Sequence, residues 1–192
     1  MYKISVTDGI VLKKSFRGEA NVAVSILTRE LGLLRAVVRS ARREKSKLRY
    51  GIEPLTQGRF SFVRGQREWR LVGMEGVSRL FPTLSFPHTS AAGRIVKLLL
   101  RLIQGQEPTP LLYKTLQEGL ISISCVQEKD LQNTECVLVL RILAHLGYVA
   151  HVPELAPFME NDFFSEELAA AAVHSRSLLI RTINQSLKAS EL

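Results

Sequence analysis

The sequence has few residues of the kinds that build metal centres and redox sites. It contains two cysteines among 192 residues, Cys125 and Cys136, with neither a CxxC spacing nor a neighbouring histidine pair. Because a zinc site needs four ligands at workable spacing, these two thiols cannot form one. We therefore expect two reduced cysteines in the core or on helices, and no metal or other cofactor.

Long apolar runs and catalytic motifs are also missing. No apolar run approaches the length of about 20 residues that a membrane-spanning helix needs, and the N-terminus lacks the charged-then-apolar layout of a signal peptide. The sequence has no Walker loop, no GxSxG and no HExxH, and its four histidines are scattered. We expect a cytoplasmic protein that makes no membrane contact and is not an enzyme.

Positive charge is in excess, and it lies in the first half of the chain. Residues 1–80 hold 17 Lys and Arg against 7 Asp and Glu, whereas residues 81–192 hold 9 against 11. The densest part is residues 35–49, RAVVRSARREKSKLR, with seven basic residues and one acidic residue. Such a concentration is typical of a surface that binds nucleic acid. The alternative is a solvated loop whose charges only maintain solubility.

The spacing of these cations suggests how they contact the phosphates of a nucleic acid. If residues 35–49 run extended, the basic residues at odd positions share one face at intervals of about 7 Å, on the scale of a phosphate repeat. The predicted phosphate contacts are the basic residues of this segment and three upstream cations: Lys13, Lys14, Arg17, Arg35, Arg39, Arg42, Arg43, Lys45, Lys47 and Arg49.

Residues 2–79 have the pattern of a β structure. Strands are predicted at residues 9–16, 21–29, 33–40, 57–64 and 68–76, joined by short turns and one longer connection. Five strands in so short a segment favour a small closed barrel of the oligonucleotide-binding (OB) type over an open sandwich, because the segment cannot supply two sheets and a core.

Aromatic residues are interleaved with cations in this β region. OB barrels bind single strands by combining a positive groove with rings on which bases stack. Phe60 and Phe62 alternate with Ser61 and are predicted to be core residues. The candidates for base stacking are Phe16, Tyr50 and Trp69.

Beyond Phe81 the apolar spacing becomes helical. Ile95, Leu98, Leu99 and Leu102 recur as they do on one face of a helix. Further helices are predicted from residue 110, at 132–146, at 165–175 and at 177–190, with a loop at 148–161. The fold class is therefore α+β with two domains: an OB-fold β-barrel over residues 1–80 that binds nucleic acid, and an all-α helical domain over residues 81–192.

Several blocks of the sequence resemble a known family. The blocks LTRELGLLRAVVR and ARREKSKLR, then LLLRLIQGQEPTPLLYKTLQEGL and VLVLRILAHLGYV, are similar to the bacterial recombination mediator family RecO. The resemblance covers roughly residues 9–149. It implies an OB domain followed by a helical domain, binding of single- and double-stranded DNA, and annealing of complementary strands. It also implies partnership with RecR, RecA and the single-stranded DNA-binding protein in recombinational DNA repair at the nucleoid.

The chain departs from this family in one region. Many relatives carry a four-cysteine zinc loop just after the helix that ends in Leu-Gly-Tyr, and residues 150–164 contain no cysteine. The helical domain is therefore expected to lack the zinc loop. The C-terminal part of the chain is also short, so a partner contact made by the missing loop is not expected here.

Two other classes of function stay open at the level of sequence. The first is a protein-interaction adaptor, in which the helical half binds the acidic tail of the single-stranded DNA-binding protein in an apolar pocket rimmed by Arg94, Lys97 or Arg101. Alternatively these cations lie on an ordinary exposed helix face. The second class is an RNA-binding OB-fold protein.

Overall fold

The computed structural model describes residues 3–42, 46, 48–81, 85–103, 105–150, 152–160, 163 and 165–189. These residues form two compact units. The first contains the described residues up to 81 together with residues 105–113, which we call the linker segment. The second contains residues 85–103 and 114–189. The assignment of a separate function to residues 1–80 and 81–192 stays a prediction.

The first unit is a closed barrel of five strands. They are β1 (Ile4–Arg17), β2 (Asn21–Thr28), β3 (Gly32–Val38), β4 (Thr56–Arg64) and β5 (Trp69–Arg79). The barrel order is β1-β2-β3-β5-β4, with β3 and β5 parallel and the other pairs antiparallel. The long β1 strand pairs with both β4 and β2, and an irregularity between Val11 and Lys13 marks the bulge where it bends. The predicted OB-fold is confirmed.

The barrel interior is filled by alternate residues of each strand, as a period of two requires. Val22, Val24 and Ile26 of β2 point inward, and the two phenylalanines of β4 are fully buried. The ring centroids of Phe60 and Phe62 lie 6.4 Å apart, and both rings belong to one apolar cluster. The predicted core role of these two phenylalanines is confirmed.

The linker segment lies against the turn between β2 and β3. Gly32 has a φ of +65°, and a Cβ atom there would lie 2.2 Å from the carbonyl oxygen of Glu107, so only glycine fits. Tyr113 is 6% exposed. Burial and the nearby carboxylates of Asp8 and Glu30 raise the pKa of Tyr113 to about 12. The linker segment is therefore part of the barrel unit, although it follows the first helix in the chain.

The second unit is helical. Its elements are α1 (Phe86–Leu102), α2 (Pro110–Cys125), whose first residues belong to the linker segment, α3 (Leu131–His145), α4 (Ala156–Glu160), α5 (Glu166–His174) and α6 (Arg176–Ala189). Ser165 caps α5, accepting a hydrogen bond from the backbone N–H of Leu168 at 3.1 Å. Within the ranges described above, no helix combines the length and apolarity needed to cross a membrane.

The predicted loop at residues 148–161 is wrong for its central part. Pro153–Leu155 forms a 3₁₀ turn that leads directly into α4. Leu155 and Phe158 are buried, and Arg141 of α3 donates a hydrogen bond from Nε to the carbonyl oxygen of Phe158 at 2.5 Å. The loop was predicted because the segment contains Pro153 and Pro157. Proline is tolerated in a first helical turn, so both residues are compatible with helix here.

Candidate nucleic-acid interface

The ends of several strands meet at one part of the barrel. Phe16 of β1 pairs with Val22 of β2, which pairs with Val38 at the end of β3. On the other side, Trp69 at the start of β5 pairs with both the end of β3 and the end of β4. An ion pair between Arg17 and Glu68 joins the β1–β2 turn to the β4–β5 turn. These two turns flank the binding face of OB folds in general.

Five exposed arginines surround this part of the barrel, and we call them the arginine-rich rim. Arg17 ends β1, Arg64 ends β4 and Arg67 lies in the β4–β5 turn, while the remaining two follow β3. The rim consists of Arg17, Arg39, Arg42, Arg64 and Arg67. The two acidic side chains in the adjoining turns are Glu19 and Glu68, so the rim carries net positive charge.

The chain leaves β3 by turning over the β1–β2 connection. The backbone N–H of Ser40, whose φ is +53°, donates to Oδ1 of Asn21 at 3.1 Å. The backbone N–H of Arg42 donates to the carbonyl oxygen of Ala20 at 3.2 Å. These bonds hold Arg39 and Arg42 beside the β1–β2 turn.

The predicted extended row of cations is interrupted within residues 35–42, the continuous part of this segment that the structure describes. The strand ends at Val38, and the positive φ of Ser40 breaks the two-residue alternation that would place odd positions on one face. Arg35 instead lies on the outer face of the barrel. It pairs with Ser25 of β2, which pairs with Lys13 of β1, and the side chains of Arg35 and Lys13 are both exposed. Strand pairing therefore places Lys13 and Arg35 in one row on the outer face of the barrel.

The other predicted phosphate contacts differ in exposure and in whether the cation is paired with a carboxylate. Lys14 is largely covered and forms an ion pair with Glu53 at 2.6 Å, so its charge is already neutralised. Arg17 is exposed but is paired with Glu68. Arg49 is exposed beside Tyr50. The remaining three predicted contacts, Arg43, Lys45 and Lys47, lie outside the described residues.

The three candidate stacking residues fall into two groups. Phe16 and Tyr50 are each 72% exposed, and each has a guanidinium nearby, from Arg42 at 4.9 Å and Arg49 at 6.0 Å from the ring centroid. The half-buried Trp69 packs against the barrel core. Exposed rings with an adjacent cation are the arrangement that stacks an unpaired base, so Phe16 and Tyr50 fit that role better than Trp69.

Sequence reasoning noted Arg64 and Arg67 only as cations interleaved with aromatic residues and did not include them among the predicted phosphate contacts. Arg64 ends β4 and Arg67 lies in the β4–β5 turn, whose position beside the β1–β2 turn depends on barrel closure and not on local sequence. Among the described residues, neither side chain pairs with a carboxylate. The signal that could have identified them is the OB topology itself, which brings these two turns together.

The cations predicted to rim a peptide pocket lie on α1 of the helical unit. Arg94 is held by Glu135 through two hydrogen bonds of 2.7 and 2.6 Å, and the hydrogen bonding to Glu135 raises the pKa of Arg94. Lys97 and Arg101 are exposed. A pocket of about 260 Å³ lies between α2, α3 and α5, and none of these three cations lines it. Their role in peptide binding stays a prediction.

The two cysteines of the helical unit differ in exposure, since Cys125 is exposed and Cys136 is half-buried, and His145 is exposed near the end of α3. Thr115 Oγ1 and His145 Nε2 lie 2.8 Å apart, and burial together with Arg141 lowers the pKa of His145. Burial also raises the pKa of the Cys136 thiol. Within the described part of the chain, no three His, Cys, Asp or Glu side chains are grouped so that they could hold a metal ion.

Comparison with known proteins connects this interface to a family. Residues 1–75 match the family model described as "Recombination protein O N terminal". The DNA repair protein RecO of Gloeothece citriformis is 35% identical over 122 residues, which cover 62% of this chain and 43% of that protein. The protein of the same name from Synechococcus sp. (strain JA-2-3B'a(2-13)) is 34% identical over 170 residues, covering 82% and 57%.

A third relative is less similar in sequence. The DNA repair protein RecO of Thermodesulfovibrio yellowstonii is 27% identical over 147 residues, which cover 74% of this chain and 57% of that protein. The chain spans about half the length of the curated relatives that it matches. The OB barrel, the match to its first 75 residues and the relatives that align well beyond it show that the chain is similar to the RecO family over most of its length.

Proposed function

We propose that this chain acts in recombinational DNA repair as a non-catalytic mediator that binds single- and double-stranded DNA and anneals complementary strands. The observation that carries the proposal is the arginine-rich rim, which surrounds the turns through which OB barrels bind nucleic acids. The names of the relatives, DNA repair proteins, support the same role.

The rim provides two kinds of contact. Arginine guanidinium groups bind phosphate oxygens through paired N–H donors, and this contact is available on one strand or two. The exposed ring of Phe16 adds a surface on which an unpaired base stacks, with a contribution of about 1–3 kcal/mol per base. Phosphate binding therefore explains affinity for both forms of DNA, and stacking favours the single strand.

Annealing follows from charge neutralisation. Two DNA strands repel each other through their phosphates, and a protein that places cations along both backbones lowers this repulsion. The process needs no nucleotide hydrolysis, which fits a chain without catalytic motifs. In this proposal the rim, with Lys13, Arg35 and Arg49, binds DNA at the nucleoid, and RecR and RecA act downstream.

The helical unit is proposed to bind the acidic tail of the single-stranded DNA-binding protein. The exposed cations Lys97 and Arg101 of α1 supply positive charge that complements such a tail. This contact would bring the rim to strands that are already coated, so it complements DNA binding. If the tail contact dominates and DNA contact is minor, the chain is an adaptor.

Salt dependence tests the proposal. If about five phosphates are neutralised, the logarithm of the affinity for a single strand should fall with the logarithm of salt concentration at a slope of about −3.5. Fluorescence anisotropy of a labelled oligonucleotide measures this slope. An affinity that does not change with salt would contradict the proposal. Tighter binding of an RNA of equal length and sequence in competition would instead favour the RNA-binding alternative.

A further inference from the structure

Trp69, the single tryptophan of the chain, is connected to the linker segment. Its indole Nε1–H donates a hydrogen bond to Oε1 of Gln106 at 3.2 Å. Gln106 precedes Glu107, the residue whose carbonyl oxygen lies against Gly32. The side chain that accepts the indole hydrogen bond is therefore carried by a segment whose backbone lies against the barrel at Gly32.

The same indole supports one arginine of the rim. The guanidinium of Arg64 lies 5.5 Å from the ring centroid of Trp69. The ring meets Phe62 of the barrel core edge-on, with centroids 6.4 Å apart and planes at 80°. Because an indole has one N–H and donates only, the acceptor at Gln106 selects one orientation of the ring. The orientation of the ring in turn sets where Arg64 stacks.

We propose that Gln106 is a positioning residue of the DNA-binding rim, which acts through Trp69 to hold the Arg64 guanidinium in place for a phosphate. This inference rests on the proposed function and deepens it, because it makes the linker segment a part of the interface. Neither Gln106 nor Trp69 has to touch the nucleic acid in this role.

The physical reason is conformational entropy. An arginine side chain loses rotamer freedom when it binds a phosphate, and an arginine already stacked on a fixed ring loses less. Arg64 is suited to this because, among the described residues, it forms no ion pair that would have to break first. Loss of the Gln106 acceptor should therefore weaken DNA binding moderately, by roughly threefold.

A double-mutant cycle in the full chain tests the inference. The variants are Q106M, which keeps the length of the side chain but removes the acceptor, R64Q, and the two combined. With an oligothymidine probe at ~0.1 M salt, R64Q should cost about fivefold in affinity, as expected for one phosphate contact. Q106M should cost roughly threefold alone and nothing in the R64Q background, because its effect passes through Arg64.

A second readout reports the Trp69 ring directly. The emission of this single tryptophan in the unbound protein should shift in Q106M and stay unchanged in the control Q127M, which alters an exposed glutamine of the helical unit. Additive effects of Q106M and R64Q, or a Q106M protein with unchanged affinity, would overturn the inference. In either case, wild-type protein that binds DNA with the expected salt slope would still support the proposed function. Failure of the inference about Gln106 is therefore distinguishable from failure of the proposed function.

Discussion

Reversing the charge of three rim arginines, as R39E/R42E/R67E, should lower the affinity for single-stranded DNA by at least about 100-fold at ~0.1 M salt. Each lost phosphate contact contributes about 0.7 to the slope of log affinity against log salt, which corresponds to about fivefold per contact at this concentration. Three lost contacts multiply to about 100-fold, and the introduced carboxylates add repulsion. The salt slope should also fall by about 2, which anisotropy titrations at several salt concentrations measure.

The helical unit offers a charge-matched control. The variant K97E/R101E/K129E changes net charge by the same amount through three exposed cations. It should bind uncoated DNA within about threefold of the wild type, because the proposed DNA contacts are all on the barrel unit and the effect of exposed charges outside a contact is weakened by salt at this ionic strength. Rim and control variants that lose affinity equally would show that binding follows net charge and not the rim.

Replacing Arg141 by alanine should destabilise the helical unit by about 3 kcal/mol. Arg141 is 7% exposed, donates to the carbonyl oxygen of Phe158 and places its guanidinium 4.1 Å from the ring centroid of Phe163. The substitution leaves a buried carbonyl without this donor and opens a cavity under α4, and both effects cost free energy. Urea unfolding followed by circular dichroism at 222 nm, which reports helix, measures the change.

An exposed arginine of the same unit provides the comparison. R181A removes an identical side chain from the exposed face of α6 and should change stability by no more than about 0.5 kcal/mol. R141M, which keeps apolar bulk but cannot donate, should lie between the two. An R141A protein as stable as R181A would show that this arginine does not stabilise the packing of the segment that follows α3.

Local patterns were sufficient to predict most elements. Strand alternation identified the core phenylalanines of β4, and Gly32 and Gly147 lie at turns, where glycine is favoured. Both adopt positive φ, and the backbone N–H groups of Gly147 and Tyr148 satisfy the last carbonyls of α3. These features depend on residues within a few positions of each other, which is the range over which sequence patterns operate.

Features that depend on tertiary contacts were not predictable. The hydrogen bond from Ser40 to Asn21 ends β3 early and redirects Arg39 and Arg42, although nothing in the local sequence forbids a longer strand. Helix α4 forms where two prolines suggested a loop, since Phe158 is buried there. Arg64 and Arg67 join the rim because the barrel closes, and Gln106 reaches Trp69 from 37 residues away.

Strand annealing tests the central claim most directly. Complementary DNA strands, uncoated or coated with the single-stranded DNA-binding protein, are mixed without nucleotide or divalent metal, and duplex formation is followed by fluorescence energy transfer. The wild-type chain should accelerate annealing of both, and K97E/R101E/K129E should lose acceleration only for coated strands. R39E/R42E/R67E should accelerate neither, whereas a rim variant that anneals uncoated strands as fast as the wild type would contradict the account.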